Sequence, residues 1–263
     1  MTPVLVFDIE TVPDVAGLRK LHEVDAAVPD AQVAAMAFQL RRQAVGHDFL
    51  PLHLHRVIAI SCALSDGEAF RVWSIGAETD AGVDSEGEII QRFFDGIEKY
   101  TPQLVSWNGA GFDLPVLHYR GLIHGVSAPR YWDTGEDDRD FRYNNYLSRY
   151  HMRHCDVMDL LSLYQGRAVA PLDEIAQLLG LPGKLGMDGS QVWDAYLAGR
   201  LADIRNYCET DVVNTYLVFL RFQAMRGALT AEQYRLRSEA VRATLARSME
   251  PHWQLFLARW PQA

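Results

Sequence analysis

The sequence predicts an α/β domain built on one mixed β-sheet, with helices on both faces. Three observations carry that expectation. Apolar runs of strand length come first along the chain, helical periods are interleaved and then accumulate, and carboxylates stand where the surrounding pattern is apolar.

Residues 3–8 read as a buried first strand, because Val4, Leu5, Val6 and Phe7 form a continuous apolar run into Asp8. Residues 14–55 read as an insertion with a helical stretch over 31–45. A second strand covers 56–64, Asp66-Gly67 is a hairpin signal, and a third strand covers 68–74. Ser85 and Glu88 form a capping box for a helix running to about Tyr100. Residues 104–107 make a fourth strand and 114–124 a helix. The stretch 128–151 has no period and reads as a long functional loop. A short fifth strand at 154–156 precedes helical segments at 158–165, 171–179, 190–198, 201–226, 230–247 and 252–260. Thr230 and Gln233 form a second capping box.

Composition sets the outer limits. The 263 residues suffice for one large domain, 1–263, carrying the 14–55 insertion and a C-terminal helical extension at 228–263. A 49% hydrophobic and 22% charged content is that of a globular chain. No apolar run approaches a membrane span and no signal-peptide stretch precedes Asp8, so no membrane is expected. Cys62, Cys155 and Cys208 are isolated, which argues against disulfides or a zinc site and fits a reducing cytoplasm. The net charge of −9 opposes tight general binding to nucleic acid; a local basic channel with salt-sensitive affinity is the form binding would take.

Four carboxylates in three ordered motifs dominate the reading. Asp8 and Glu10 are two apart after an apolar strand, so both side chains project to one side. Asp113 follows Phe112 after the turn Asn108-Gly-Ala-Gly111, where an Asp is commonly just an N-cap. Asp211 lies on a helix whose inward stripe includes Ile204, Cys208, Val212 and Thr215, with Tyr207 one turn earlier. Of eleven tyrosines, only Tyr207 has an aspartate four positions later; alone the pair reads as a core phenol bonded locally, and only its order after the other two motifs sets it apart. A second Asp-x-Glu, Asp84-Ser-Glu86, reads as a solvated helix start. Buried carboxylates that converge need cations, and an all-oxygen set suits Mg2+ or Mn2+.

Taken in order, Asp8-Ile-Glu10, Asn108-Gly-Ala-Gly-Phe112-Asp113 and Tyr207-Cys-Glu-Thr-Asp211 resemble the DEDDy branch of the 3′→5′ exonucleases. The chain is similar, over roughly residues 3–224, to the proofreading domain of family B DNA polymerases and to stand-alone bacterial exonucleases related to it. The resemblance implies an RNase H-like five-stranded sheet of order 3-2-1-4-5, with strand 2 antiparallel and Asp8 and Glu10 at the end of the central strand. It implies a hydrolase releasing nucleoside 5′-monophosphates from single-stranded or frayed 3′ ends. DNA is favoured over RNA, and association with a polymerase or repair protein is open. An exoribonuclease and a catalytically silent binding domain are the alternatives. Asp8, Glu10, Asp113 and Asp211 would hold two divalent ions, Mg2+ or Mn2+, that activate water and stabilise phosphate charge. Tyr207 would orient the water, while Asn108, Phe112, Thr11 and Lys184 are candidate substrate contacts. Asn108 and Phe112 are equally readable as turn and packing residues, and Lys184 as a solvated lysine. No Asp-Thr-Asp polymerase motif occurs in these residues.

The loop 130–154 mixes Arg130, Arg139, Arg142, Arg149 and Arg153 with six aromatic residues, as a single-strand channel does. It also carries Glu136, Asp137, Asp138 and Asp140, so a lid held by its own ion pairs is nearly as well supported. Asp156 and Asp159 read as strand-end or capping groups. Trp253, Phe256, Leu257 and Trp260 recur at helical steps and dock the C-terminus.

Overall fold

The structure, a computed structural model, describes residues 2–67, 69–76 and 85–261. Five strands form one sheet: β1 (Val4–Pro13), β2 (His55–Ser65), β3 (Phe70–Ile75), β4 (Gln103–Ser106) and β5 (His154–Asp156). Their spatial order is β3-β2-β1-β4-β5; β2 runs antiparallel to its neighbours, and β4 and β5 are parallel to β1. This is the RNase H-like arrangement. Glu68, where the sequence pattern starts the third strand, lies outside the described residues.

Eleven helices occur among the described residues: α1 (Val15–His22), α2 (Asp30–Val45), α3 (Glu86–Tyr100), α4 (Asp113–His124), α5 (Pro129–Trp132) and α6 (Val157–Leu161) in the first part, then α7 (Leu172–Leu178), α8 (Val192–Leu197), α9 (Leu201–Met225), α10 (Ala231–Ala246) and α11 (Pro251–Arg259). Ser85/Glu88 and Thr230/Gln233 both close capping boxes, on α3 and α10. The helix expected over 158–165 stops at Leu161, because Leu163 and Tyr164 take positive φ of 53° and 58°.

Strand alternation sorts β1 between two cores. Leu5, Phe7 and Ile9 pack with Phe93, Ile97, Leu114 and Leu117 of α3 and α4. Val4 and Val6 instead pack with Val212, Val213, Tyr216 and Leu217 of α9. Asp8 and Glu10 continue that second row and so turn toward α9. Helix α9 is buried at every residue from Thr210 to Leu220, covered on its far side by α7, α10 and α11. Trp253, Phe256 and Trp260 of the last turns belong to this core.

Two local expectations are corrected. Strand β1 does not end at Asp8 and Glu10 but runs on to Pro13. Only Val4–Val6 pair with β4, whereas the pairing with β2 extends the whole way, with a register shift directly after Glu10. The carboxylates therefore stand mid-strand, just past the point where the parallel neighbour stops. Glu86 is not solvated either: its carboxylate pairs with the buried guanidinium of Arg120 and accepts from Val57 N–H at 2.8 Å. Asp14, which caps α1, holds the same guanidinium at 2.5 Å. Asp84 lies outside the described residues.

The segment 130–154 is pinned inward by a few residues, while Trp132, Arg139, Arg142, Tyr143, Arg149 and Tyr150 stay exposed. Tyr131, Phe141 and Tyr146 are core residues, and Arg153 lies over the Phe141 ring at 4.2 Å. Tyr146 donates to Pro102 O at 2.7 Å, and Gln103 donates to Met152 O at 2.8 Å. These bonds hold the segment at the entry ends of β4 and β5, the opposite end from Asp113. Part of its arginine and aromatic content thus serves packing and internal ion pairs such as Arg130–Asp138, at 3.3 Å.

Candidate active site

Each acidic residue reaches the site for a separate local reason. Ile9 N–H points toward the β4 side of β1, where β4 has already ended. Asp113, first residue of α4, fills that gap with Oδ1, which accepts the Ile9 N–H at 3.0 Å. The turn before α4 is fixed by Asp156, at the end of β5. Its two oxygens accept Asn108 N–H at 3.0 Å and Ala110 N–H at 2.9 Å, and it caps α6 through Asp159 N–H. Asp156→Ala is expected to destabilise the protein by about 2 kcal/mol or more, a lost cap plus two lost bonds to backbone, as a urea titration would measure.

On α9, Tyr207, Cys208 and Asp211 face the Asp8–Glu10 row. Glu10, Asp113 and Asp211 are 7%, 3% and 7% exposed, while Asp8 is half-buried. Such groups are costly unless a cation or proton compensates them. Burial first, and then the charges of Asp113 and Asp211, push the Asp8 carboxyl well above the carboxylate range. Burial first, then Asp8, Asp211 and Asp113, do the same to Glu10. Burial pushes Asp113 up to about 7, and Asp211 up to about 6 against the pull of Lys184 and Tyr207. The structure thus brings Asp113 and Asp211 close enough for their charges to act on Asp8 and Glu10. Tyr207 is driven far above the ordinary phenol range by burial and by Asp211, so it stays a protonated hydrogen-bond donor.

Two further observations bear on whether this group fits metal ions. Asp211 Oδ1 is buried with no hydrogen-bond partner. One donor atom each from Asp8, Glu10 and Cys208 lie within 4.8 Å of one another, a set that does not include Asp113 or Asp211. Oxygen donors with excess negative charge and an orphaned buried oxygen are what hard divalent ions complete. The residues fit.

Lys184 is not a lone solvated lysine. Asn214, one turn after Asp211, donates to Gly183 O at 2.9 Å, and Asp173 Oδ1 accepts Lys184 N–H at 2.7 Å. Gly183 has φ +67°, and a Cβ there would meet Asp173 Oδ1 at 2.4 Å. The loop so held puts Lys184 Nζ 5.3 Å from the Tyr207 ring centre, where its charge opposes the upward shifts of Asp8, Glu10 and Asp211.

Glu10, Thr11 and Phe112 line a cleft of about 520 Å³, together with Phe49, His55 and Trp193. Phe112 meets His55 edge-on at 5.2 Å and lies 5.7 Å from Phe49. His55 Nε2 lies 3.1 Å from Leu50 O, an acceptor, so the proton sits on Nε2 and Nδ1 accepts from Thr11 Oγ1 at 2.9 Å. Burial lowers the His55 pKa, which keeps the ring neutral. Asn108 is set apart: it is exposed, has φ +66°, and shapes the turn before Asp113.

Phe49, His55 and Trp193 have no local signature in the sequence, and only the fold gathers them. Cys208 is visible on the inward stripe of α9 but as a core residue. Its thiol lies 3.5 Å from Asp8 Oδ2. Glu209 points elsewhere, accepting from Ser74 Oγ at 2.7 Å and lying 3.2 Å from His252 Nε2.

An RNase H-like sheet with acidic side chains gathered from β1, α4 and α9 defines the class of PolB-like exonuclease domains. Residues 47–260 match the family described as "Predicted 3'-5' exonuclease related to the exonuclease domain of PolB", and the chain belongs to that family. The match begins after Asp8 and Glu10, which the fold returns to the centre of the sheet. Over 143 residues the chain is 25% identical to the catalytic subunit of DNA polymerase epsilon from Aspergillus fumigatus; this covers 52% of the chain and 6% of that much longer protein. No helix among the described residues is long and apolar enough to cross a membrane.

Proposed function

We propose that the protein is a metal-dependent 3′→5′ exonuclease that removes nucleoside 5′-monophosphates from single-stranded or frayed 3′ ends of DNA. The observation that carries this reading is the convergence of four carboxylates from three separate elements, with Asp211 Oδ1 buried and unpartnered. A silent binding domain has no use for so costly a group. Residues 1–263 act in this reading as one unit, inside a reducing compartment suited to three buried free cysteines.

Asp8, Glu10, Asp113 and Asp211 would hold the ions. Two divalent ions there, Mg2+ or Mn2+, supply an acidified water and positive charge for the phosphate and leaving oxygen. The protein's own groups do the positioning. Tyr207, protonated and beside Asp211, donates a hydrogen bond that orients the attacking water. Lys184 adds positive charge on the α9 side. The terminal nucleoside enters the cleft beside Glu10, its base against Phe112 and Phe49. The Thr11 hydroxyl proton is engaged by His55, so its oxygen is left to accept from the sugar.

A 5′-labelled oligonucleotide incubated with purified protein and Mn2+ tests this directly. Stepwise shortening from the 3′ end is expected, faster on DNA than on a matched RNA strand. Binding without cleavage across several metals and both substrates refutes it. Tyr207→Phe is expected to slow single-turnover cleavage on the order of a hundredfold, the penalty of a poorly placed nucleophile, with Mn2+ affinity unchanged. Glu209→Gln, on the other side of α9, is expected to cleave within a few-fold of wild type. An inactive Glu209→Gln beside a fully active Tyr207→Phe would reverse the assigned roles.

A further inference from the structure

Resting on the metal-centre reading, we propose that Cys208 turns part of this site into a binding set for a thiophilic divalent ion, Zn2+ or Cd2+, with Asp8 and Glu10 as its oxygen donors. A single donor atom from each of the three lies within 4.8 Å of the others. Cys208 Sγ is 3.5 Å from Asp8 Oδ2. A tetrahedral zinc site, with Zn–S near 2.3 Å and Zn–O near 2.1 Å, separates sulfur from oxygen by about 3.6 Å. The Cys208–Asp8 spacing already fits.

An independent observation supports the set. Asp211 is 7% exposed, its Oδ1 is buried without a hydrogen-bond partner, and its charge acts on both Asp8 and Glu10. It lies three residues after Cys208 on α9, hence on the same side of the helix. It stands outside the three-atom set but beside it, as an unpartnered oxygen that an ion held there can draw in.

The chemistry separates this from the activating ions. Oxygen-only sets suit Mg2+ and Mn2+, whereas a thiolate selects softer ions, and Zn2+ outranks Mn2+ on such mixed sites. Binding replaces the S–H bond by a sulfur–metal bond, and the proton leaves to solvent. An ion so held occupies the carboxylates that the reaction needs, so Zn2+ competes with Mn2+ and arrests cleavage. Cys62 and Cys155 are equally buried, but each belongs to an apolar core. They serve as internal controls.

The full chain, kept reduced and titrated with Cd2+ alone, provides the test. Wild type is expected to develop the ultraviolet thiolate–cadmium absorption, saturating at one ion per chain. Cys208→Ser is expected to lack the band and to lose more than about 100-fold in apparent Cd2+ affinity, beyond the 10–100-fold typical of an outer-shell partner. Cadmium NMR on wild type, which needs no variant, is expected to show a resonance displaced from the all-oxygen position. No Cd2+ binding, saturation without the band, or a band that survives in Cys208→Ser overturns the proposal. The readout is independent of cleavage. A chain that cleaves with Mn2+ but shows no thiolate band refutes only the Cys208 inference; one that shows the band and never cleaves refutes only the nuclease reading.

Discussion

Asp113→Asn is expected to lower single-turnover cleavage by on the order of a thousandfold or more while leaving the fold intact. The amide is nearly isosteric, and its oxygen can still accept the Ile9 N–H that Asp113 accepts at 3.0 Å. What it removes is the negative charge that holds a divalent ion. Losing about 4 kcal/mol of transition-state stabilisation corresponds to roughly a thousandfold in rate. The same substitution relieves a buried charge among like charges, so the metal-free variant is expected to melt at a higher temperature than wild type. Loss of activity with gain of stability is the signature of a functional charge rather than a structural one. Parallel rate measurements and thermal melts check both halves; a variant within tenfold of wild-type rate removes Asp113 from the metal set.

The second large effect is on stability, and its direction follows from the shifted carboxyls. Asp113 is raised to about 7 and Asp211 to about 6, from an ordinary value of 3.8. Between roughly pH 4 and 7 the folded protein therefore holds more protons than the unfolded chain, and the metal-free protein loses stability as pH rises through that window. Above it Asp113 and Asp211 carry their full charge, and a divalent ion offsets it. Mn2+ at about a hundredfold above its Kd is expected to stabilise the fold by about 2.7 kcal/mol, on the order of 5–10 °C in Tm, at about pH 8. At about pH 5 protons compete for the same oxygens, and the shift is expected to shrink to a small fraction. Thermal melts with and without Mn2+ at the two pH values measure this. An equal shift at both places the ion elsewhere.

The parts of the site legible in the sequence are those with a local period. Asp8 and Glu10, two apart on a strand, and Tyr207 and Asp211, four apart on a helix, each declare a shared face without any knowledge of the fold. The sheet order came through resemblance rather than periodicity. The length of β1 did not come through at all, because residues past Asp8 are held by pairing to β2, some fifty positions away. Lys184 reads as an isolated cation until Asn214 draws its loop onto α9. Arginine and aromatic residues between 130 and 154 have the same composition whether they bind a strand or fill a core. Their attachment to the entry ends of β4 and β5 accounts for Tyr146 and the core residues around it, while Tyr143, Arg149 and Tyr150 stay exposed. The cleft beside Glu10 combines side chains from β1, β2, α8 and the loops before β2 and α4, so no single window of sequence contains it.

The central claim is that Asp8, Glu10, Asp113 and Asp211 jointly hold a pair of divalent ions. An anomalous difference map from a crystal of the protein soaked in Mn2+ tests it most directly. Two peaks about 3.5–4 Å apart, bounded by these four side chains and weakened or lost in Asp113→Asn, are the predicted result. Manganese bound outside this group, or an empty group in a crystal whose manganese lies elsewhere, would contradict it.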